Sequence, residues 1–408
     1  MSHQGVSIRA PMIVLVLTML VITKETALAA EWSGTTNASI ATEFNSNKFL
    51  SRGEGTEVSG LIADVSAQLS RTTPTSTFSV GPTLRLTQYP GQENLDSKRG
   101  SIATSLSYPR ERSTFQIGAN VARDSTVTSE LNTTGFVATD KQRNTTTFES
   151  AYSYEVNPVG VVEISGAFTK VAYIDAAFTG LYGYDYNALN MSYRHALAKD
   201  SQWNTALGVS DFQATDFGNS TRNYSLNIGY STRLLPTFSA FINVGERFTQ
   251  SEQSIGQSGS DTTEAGWLIN TGITQEQYRS QRKLMVSRNV EPSGSGALND
   301  KTALSATFSR EFSLDLTGVM DLSASHFRSI SPGTLETTWK IRRGGLSLSK
   351  QVGRNWSLGA QYQRHWQHYD ATGNNASSHQ VFLSISYVGS PKRFSINTIS
   401  LASFDEPQ

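Results

Sequence analysis

Segments of about ten residues in which apolar and polar side chains alternate follow one another along nearly the whole chain, and no other feature restricts its fold so strongly. Successive side chains of a strand point to opposite faces, so period two sustained over this length means strands with two chemically different sides. Ala63, Val65, Ala67 and Leu69 alternate with Asp64, Ser66 and Gln68. After Arg71 to Pro74, Phe78, Val80, Leu84 and Leu86 alternate with Ser79, Thr83, Arg85 and Thr87. The device returns at Phe115-Ile117-Ala119-Val121, Tyr224-Leu226-Ile228-Tyr230, Trp356-Leu358-Ala360-Tyr362 and Val381-Leu383-Ile385-Tyr387. No segment keeps a helical period.

A chain of such strands closes into a barrel or stacks into a sandwich, and composition separates the two. Hydrophobic residues make up 37% and charged residues 17%, against roughly 45–50% and 25% in soluble domains. Ser, Thr, Asn, Gln and Gly fill the gap, as a barrel with lipid outside and water inside requires. The 34 basic and 34 acidic residues balance, so no global field draws nucleic acid, and none is expected as a partner. The absence of cysteine excludes disulfides, a thiolate nucleophile and cysteine-ligated metal, and it suits passage through an oxidising periplasm.

Arg9, the apolar run Met12 to Ile22 and the small residues ending Ala27-Leu28-Ala29-Ala30 have the order of a secretory signal, so residues 1–30 are expected to be cleaved. That run is too short to span a hydrocarbon core, which takes about 20 apolar residues. No later stretch is long enough either, so a membrane form must be a closed barrel.

Connections alternate in length. Short polar turns fall at Pro109 to Arg112, Asn157 to Gly160, Leu197 to Asp200, Leu234 to Pro236 and Val352 to Arg354. Between them lie the longer stretches Tyr89 to Gly100, Ser125 to Arg143, Gln250 to Thr263, Asn289 to Lys301 and Ala371 to Ser378. Outer-membrane barrels sort their loops in this way, short on the periplasmic side. Tyr108, Phe115, Tyr193, Trp203, Tyr230, Phe238, Trp356 and Tyr387 sit near short turns and read as a periplasmic aromatic girdle.

The sequence therefore predicts an all-β, transmembrane, antiparallel up-and-down β-barrel over residues 31–390 with about 18 strands, 16 being the nearest alternative. Three places resist the pattern. Pro82 lies inside a strand and implies a bulge or break. Apolar parity shifts between Trp339, Ile341 and Leu346, Leu348, which Gly344-Gly345 would accommodate as a bulge. Residues 391–408 follow what reads as the final strand, as a tail or as a closing strand over Phe394 to Phe404.

Chemistry-bearing motifs are sparse. His365 and His368 point to opposite faces of one strand and make a shared metal site unfavourable. Ser325 and His326 are adjacent, but no acidic or amide residue is spaced to orient the imidazole, so an outer-membrane hydrolase is the weakest alternative. Asp370 to Asn375 lacks the ligand spacing of a calcium loop, and Gly294-Ser295-Gly296 precedes no helix. No catalytic residue, cofactor or metal is assigned. Basic residues cluster at Arg279, Arg282, Lys283 and Arg288 and again at Lys340, Arg342, Arg343 and Lys350. Cations are costly on a lipid face, up to about 2–4 kcal/mol at the midplane, so most of these must face the lumen or lie near an interface, and Arg279, Arg282, Lys283, Arg288, Lys340 and Arg342 are the candidate lumen patch. Such a patch either favours anions and acidic polysaccharide or pairs with acidic neighbours such as Glu246, Glu276 and Asp315 to brace the wall.

Residues Ala122 to Asn132, with Gly135-Phe136-Val137 and Lys141-Gln142-Arg143, resemble the outer-membrane β-barrel family associated with PEP-CTERM and exosortase systems in proteobacteria. Arg288 to Gly296 resembles a loop of that family, and Asn47-Lys48-Phe49-Leu50 its first loop. The resemblance implies an outer-membrane location in an envelope that exports exopolysaccharide. Outer-membrane lipids, the barrel-assembly machinery and the polymer or its export proteins are then the expected partners. It brings no catalytic residues. Two functions are expected from the sequence, a passive pore and a non-conducting structural component.

Overall fold

The structure, a computed structural model, describes residues 31–51, 55–130, 140–176, 179–215, 218–255, 258–330, 338–370 and 373–394. Residues 1–30, the expected signal segment, and residues 395–408 lie outside the described residues.

Each alternating segment is a strand. The first nine are β1 (Glu31–Asn45), β2 (Val58–Thr73), β3 (Ser76–Gln88), β4 (Ser97–Pro109), β5 (Ser113–Ser125), β6 (Gln142–Asn157), β7 (Gly160–Ile174), β8 (Tyr184–Ala198) and β9 (Ser201–Ala214). They are followed by β10 (Asn219–Leu235), β11 (Phe238–Ile255), β12 (Ser258–Gln277), β13 (Ser280–Pro292), β14 (Leu298–Glu311), β15 (Leu316–Ile330), β16 (Thr338–Gln351), β17 (Trp356–Tyr369) and β18 (Asn374–Val388). Each pairs antiparallel with the next, and β1 pairs with β18, which closes an 18-stranded barrel. Closure leaves no strand edge, so backbone N–H and C=O groups are satisfied where water is absent.

Cross-strand register sorts the side chains by polarity. Ile40 lies opposite Ala63 and Ile385, while Ser39 lies opposite Asp64 and Ser386. The apolar row is exposed: Ile40, Val65, Leu207, Ile228 and Leu383 each keep more than half their surface. In water this would be costly, at about 25 cal/mol per Å²; against acyl chains it is the stable arrangement. The eight connections β2–β3, β4–β5, β6–β7, β8–β9, β10–β11, β12–β13, β14–β15 and β16–β17 are all of four residues or fewer and lie at one end, together with the start of β1 and the end of β18, which marks the periplasmic end. There Tyr108, Phe115 and Tyr152 are successive cross-strand partners, as are Tyr193-Thr205 and Trp203-Tyr230 one step further. Ring centroids are 5.4 Å apart for Tyr193 and Trp203 and 5.0 Å for Trp356 and Tyr387.

Of the two expected irregularities, the one at Pro82 is a break without a bulge, and the bulge at Gly344-Gly345 is absent. Around Pro82 the β2–β3 ladder lacks the pairs of Ala67 and Gln68, yet Ser66 opposite Thr83 and Leu69 opposite Val80 keep one register. The missing N–H opens a gap without inserting a residue. Gly344 and Gly345 are paired without interruption to Leu322 and Asp321 on β15 and to Arg364 and Gln363 on β17. The change of apolar parity there is a change of surroundings: Leu346 and Leu348 face lipid, whereas Trp339 and Ile341 point inward and pack with Phe327. At the C-terminus a short strand, β19 (Lys392–Phe394), pairs with Trp32 to Gly34 and lengthens the closing seam. Two stretches expected to be loops, 250–263 and 289–301, are largely continuations of the β11–β12 and β13–β14 hairpins.

Candidate functional site

Lumen-facing residues follow a gradient along the barrel axis. On β11, Asn243 and Gly245 are half-buried, whereas Arg247, Thr249 and Ser251 are buried. On β17, Gln361 and Gln363 are half-buried, and His365 and Gln367 buried. The lumen is therefore wet through the middle and filled at its extracellular mouth.

The β13–β14 hairpin does much of the filling. β12 and β13 pair only from Gln277 opposite Ser280 up to Ile269 opposite Arg288, and above that point β12 continues with β11 alone. Freed from β12, the tip of β13–β14 turns into the lumen. Val290, Leu298 and Asp300 lie on the face that carries Val286 and Leu304 lower down, yet Leu304 is 47% exposed and Leu298 only 1%. Leu298 and Val290 pack against Val171, Tyr184, Phe212 and Ala214, inward residues of β7 to β9. Polar contacts hold the turn itself: Tyr182 N donates to Gly294 O at 2.8 Å, and Asn219 Nδ2 to Gly296 O at 2.8 Å. Gly296 has φ +82°, a left-handed conformation that glycine adopts without steric cost. A Cβ at Gly294 would run into the Tyr173 hydroxyl and lie 3.1 Å from Glu130 Oε2.

Charges lock the hairpin to the wall. Arg247 Nη2 lies 2.9 Å from Asp300 Oδ2 and 3.2 Å from Glu264 Oε1. Arg288 grips both oxygens of Asp300, at 3.1 and 2.8 Å, and Arg328 reaches Asp300 at 3.2 Å and also Glu264. Three arginines share two carboxylates, and the fork of each guanidinium suits bidentate carboxylate pairing. The hairpin's opposite side carries Glu291 and Lys301, 3.0 Å apart, with Lys301 Nζ over the Phe327 ring.

Two further clusters line the mouth. Arg143 bridges Asp124 (3.0 Å) and buried Glu130 (2.9 Å), and the Tyr173 hydroxyl donates to Glu130 at 2.7 Å. In the first loop Lys48 pairs with Glu43 at 2.8 Å, and Tyr89 donates to the same carboxylate at 2.6 Å. Burial lowers the Lys48 pKa against the pull of Glu43, and burial raises that of Tyr89, with Glu43 adding to it. The stretches Ala122 to Glu130 and Arg288 to Gly296, far apart in sequence, thus meet around Gly294.

The expected lumen patch is not one patch. Lys283 faces inward, whereas Arg282 shares the outward face of Leu284 and stacks its guanidinium on Phe308. Arg279 lies in the periplasmic turn between β12 and β13, where it stacks on Tyr278. Arg288 starts on the outward face and is drawn under the hairpin by Asp300. Lys340 and Arg342 share the outward face of Leu346, above the lipid-facing belt. Charge parity alone misplaced them because the wall rises beyond the hydrocarbon, where cations outside cost little. Their partners also differ from Glu246, Glu276 and Asp315: Arg288 uses Asp300, and Lys340 uses Asp370 at 3.1 Å. Arg247, Glu264 and Asp300 carried no motif, only charges inside alternating strands. Ser325 faces inward and His326 outward, so the two cannot work as a pair. Among the described residues no group of acidic and histidine side chains is placed to hold a metal, and no helix is long and apolar enough to cross a membrane.

No protein-family model and no curated protein matches this chain. Among solved structures the barrel is similar to Pseudomonas aeruginosa OpdK crystallised with vanillate, at 12% identity over 88% of this chain and 99% of OpdK, with a TM-score of 0.49. It is also similar to Acinetobacter baumannii OccAB3, at 10% identity over 89% of this chain and 99% of that one, with a TM-score of 0.49. A closed 18-stranded sheet with an outward apolar belt and a polar interior defines an integral β-barrel with a channel-like lumen. It resides in the outer membrane of a Gram-negative cell.

Proposed function

We propose that the protein is a passive channel for small polar solutes, narrowed at its extracellular mouth by the inward-folded β13–β14 hairpin. The observation that carries this reading is the burial of the hairpin tip: Ser293, Ala297, Leu298 and Asn299 are each at most 4% exposed although they form a strand connection at the barrel's open end. A barrel of this width holds water unless something fills it, and among the described residues the filling lies at the mouth. Below it the wall carries half-buried Ser, Thr, Asn and Gln side chains together with the inward ion pairs Arg85–Asp64 and Arg194–Glu163, so it is polar with its charges largely paired. The Glu291–Lys301 pair is neutral overall, which suits solutes without strong charge.

The channel belongs, on this proposal, to an envelope that exports exopolysaccharide. Support comes from the resemblance of Ala122 to Asn132 and Arg288 to Gly296, stretches whose residues Glu130 and Gly294 meet at the constriction. A competing reading, a non-conducting structural component, draws on the same burial. Planar-bilayer recording of the purified protein tests the choice: steady current steps support the channel, and silence across repeated insertions supports the structural role. Deleting the gene in its own host and measuring secreted polymer tests the envelope link; unchanged polymer would remove it.

A further inference from the structure

Just above the apolar belt of β15 to β18, the outward face becomes basic and aromatic. Leu322, Leu346, Tyr362 and Val381 end the belt. One step further toward the extracellular side stand Arg342, opposite Trp366, and Arg364, opposite His379. His326 and Lys340 are partners in the next row. The Arg364 guanidinium lies over the Trp366 ring, 4.6 Å from its centroid. Arg342 and Arg364 sit on neighbouring strands, two residues out of register, where like charges repel. Neither has a carboxylate partner among the described residues, although Lys340 and His368 share Asp370 at 3.1 Å each. On other strands the outward cations Lys170 and Arg222 are paired, with Asp185 and Asp211.

We propose that this patch binds a phosphate-bearing glycolipid of the external leaflet. Two guanidinium groups and an indole at the boundary between acyl chains and water match a headgroup with phosphate esters attached to a sugar. Arginine forks take phosphate oxygens in pairs, the Trp366 ring packs against the sugar, and Leu346, Leu348 and Leu358 lie below to meet the acyl chains. Binding also relieves the repulsion between Arg342 and Arg364, so the patch is completed by its ligand. The site lies outside the barrel and is independent of whether the lumen conducts.

The test uses purified full-length protein in detergent with diphosphoryl lipid A as probe, and native mass spectrometry counts retained lipid. Wild type should hold lipid A through detergent exchange, and Lys170→Ser should match it. Arg342→Ser with Arg364→Ser should bind roughly tenfold weaker or less, since each charge-assisted contact to phosphate is strong. Heat-modifiable gel migration verifies that the variants are folded. Wild type challenged with lipid A stripped of both phosphates needs no substitution, and retention should fall likewise. Millimolar inorganic phosphate should leave bound lipid A in place. Equal retention of the dephosphorylated lipid, equal retention of phosphatidylglycerol, displacement by free phosphate, or an unaffected double variant would each overturn the proposal.

Discussion

Arg247 on β11 and Asp300 on β14 form a 2.9 Å ion pair where β12 and β13 part company, and Arg247 has no exposed surface. The pair joins the outer wall of the barrel to a hairpin that has moved inside it. Breaking a buried pair by removing one partner typically costs about 3–5 kcal/mol, because the remaining charge stays buried. Asp300→Asn removes the carboxylate that Arg247, Arg288 and Arg328 share. Chemical unfolding in micelles should show a loss of this order, and current traces should become noisier as the hairpin loosens; an unchanged unfolding midpoint would show that Asp300 anchors nothing.

Trp339 and Arg342 are three residues apart on β16 and point to opposite faces. Trp339 is 4% exposed and stacks on Phe327 at a centroid distance of 5.1 Å with the rings 3° from parallel. Trp339→Ala should destabilise the barrel by about 3–5 kcal/mol, as large aromatic truncations in cores do. Arg342→Ala, on the outside, should stay within about 0.5 kcal/mol of wild type. Equal effects in unfolding experiments would contradict the assignment of faces.

Ion selectivity separates inward from outward cations. Arg282 and Arg342 lie on the outer face, so converting both to serine should leave the reversal potential in a salt gradient unchanged. Lys283→Glu, on the lumen face, should shift it toward cation preference. A shift caused by the first pair and not by the second would place the wall the wrong way round.

Tyr89 donates to Glu43 in a buried contact, and burial raises its pKa above the ordinary value. A folded pKa above the unfolded one means that this contribution to stability is complete below about pH 10 and is lost as pH rises through the folded value. Tyrosinate absorbance should therefore rise identically in wild type and Tyr89→Phe between about pH 9 and 11, the range in which free phenols ionise. A variant that lacks one residue's worth of absorbance in that range would show Tyr89 to be accessible.

Much of the barrel is legible in the sequence because its cause is local. Alternation such as Tyr224-Leu226-Ile228-Tyr230 determines strand and face together, and the tight turns at Asn157 to Gly160 and Val352 to Arg354 give the end. What parity cannot give is where the hydrocarbon stops. Trp339 and Ile341 read as lipid-facing residues out of phase, when they are an inward apolar cluster above the membrane. Lys340 and Arg342 read as lumen cations for the same reason. The hairpin was hidden differently. Its burial depends on β12 losing β13 above Ile269, a long-range event, while Leu298 and Asp300 keep the parity of an ordinary strand. Only the glycines at 294 and 296, in a stretch without a helix to follow, hinted at close approach.

The inward hairpin is the constriction that sets conductance on the proposed reading. Replacing Pro292 to Leu298 with a two-residue Asn-Gly turn shortens it to an ordinary strand connection without touching the barrel below. Single-channel conductance of this variant in planar bilayers should be several-fold higher than that of wild type, with the gel migration of a folded barrel. Conductance equal to wild type in the folded variant would contradict the account.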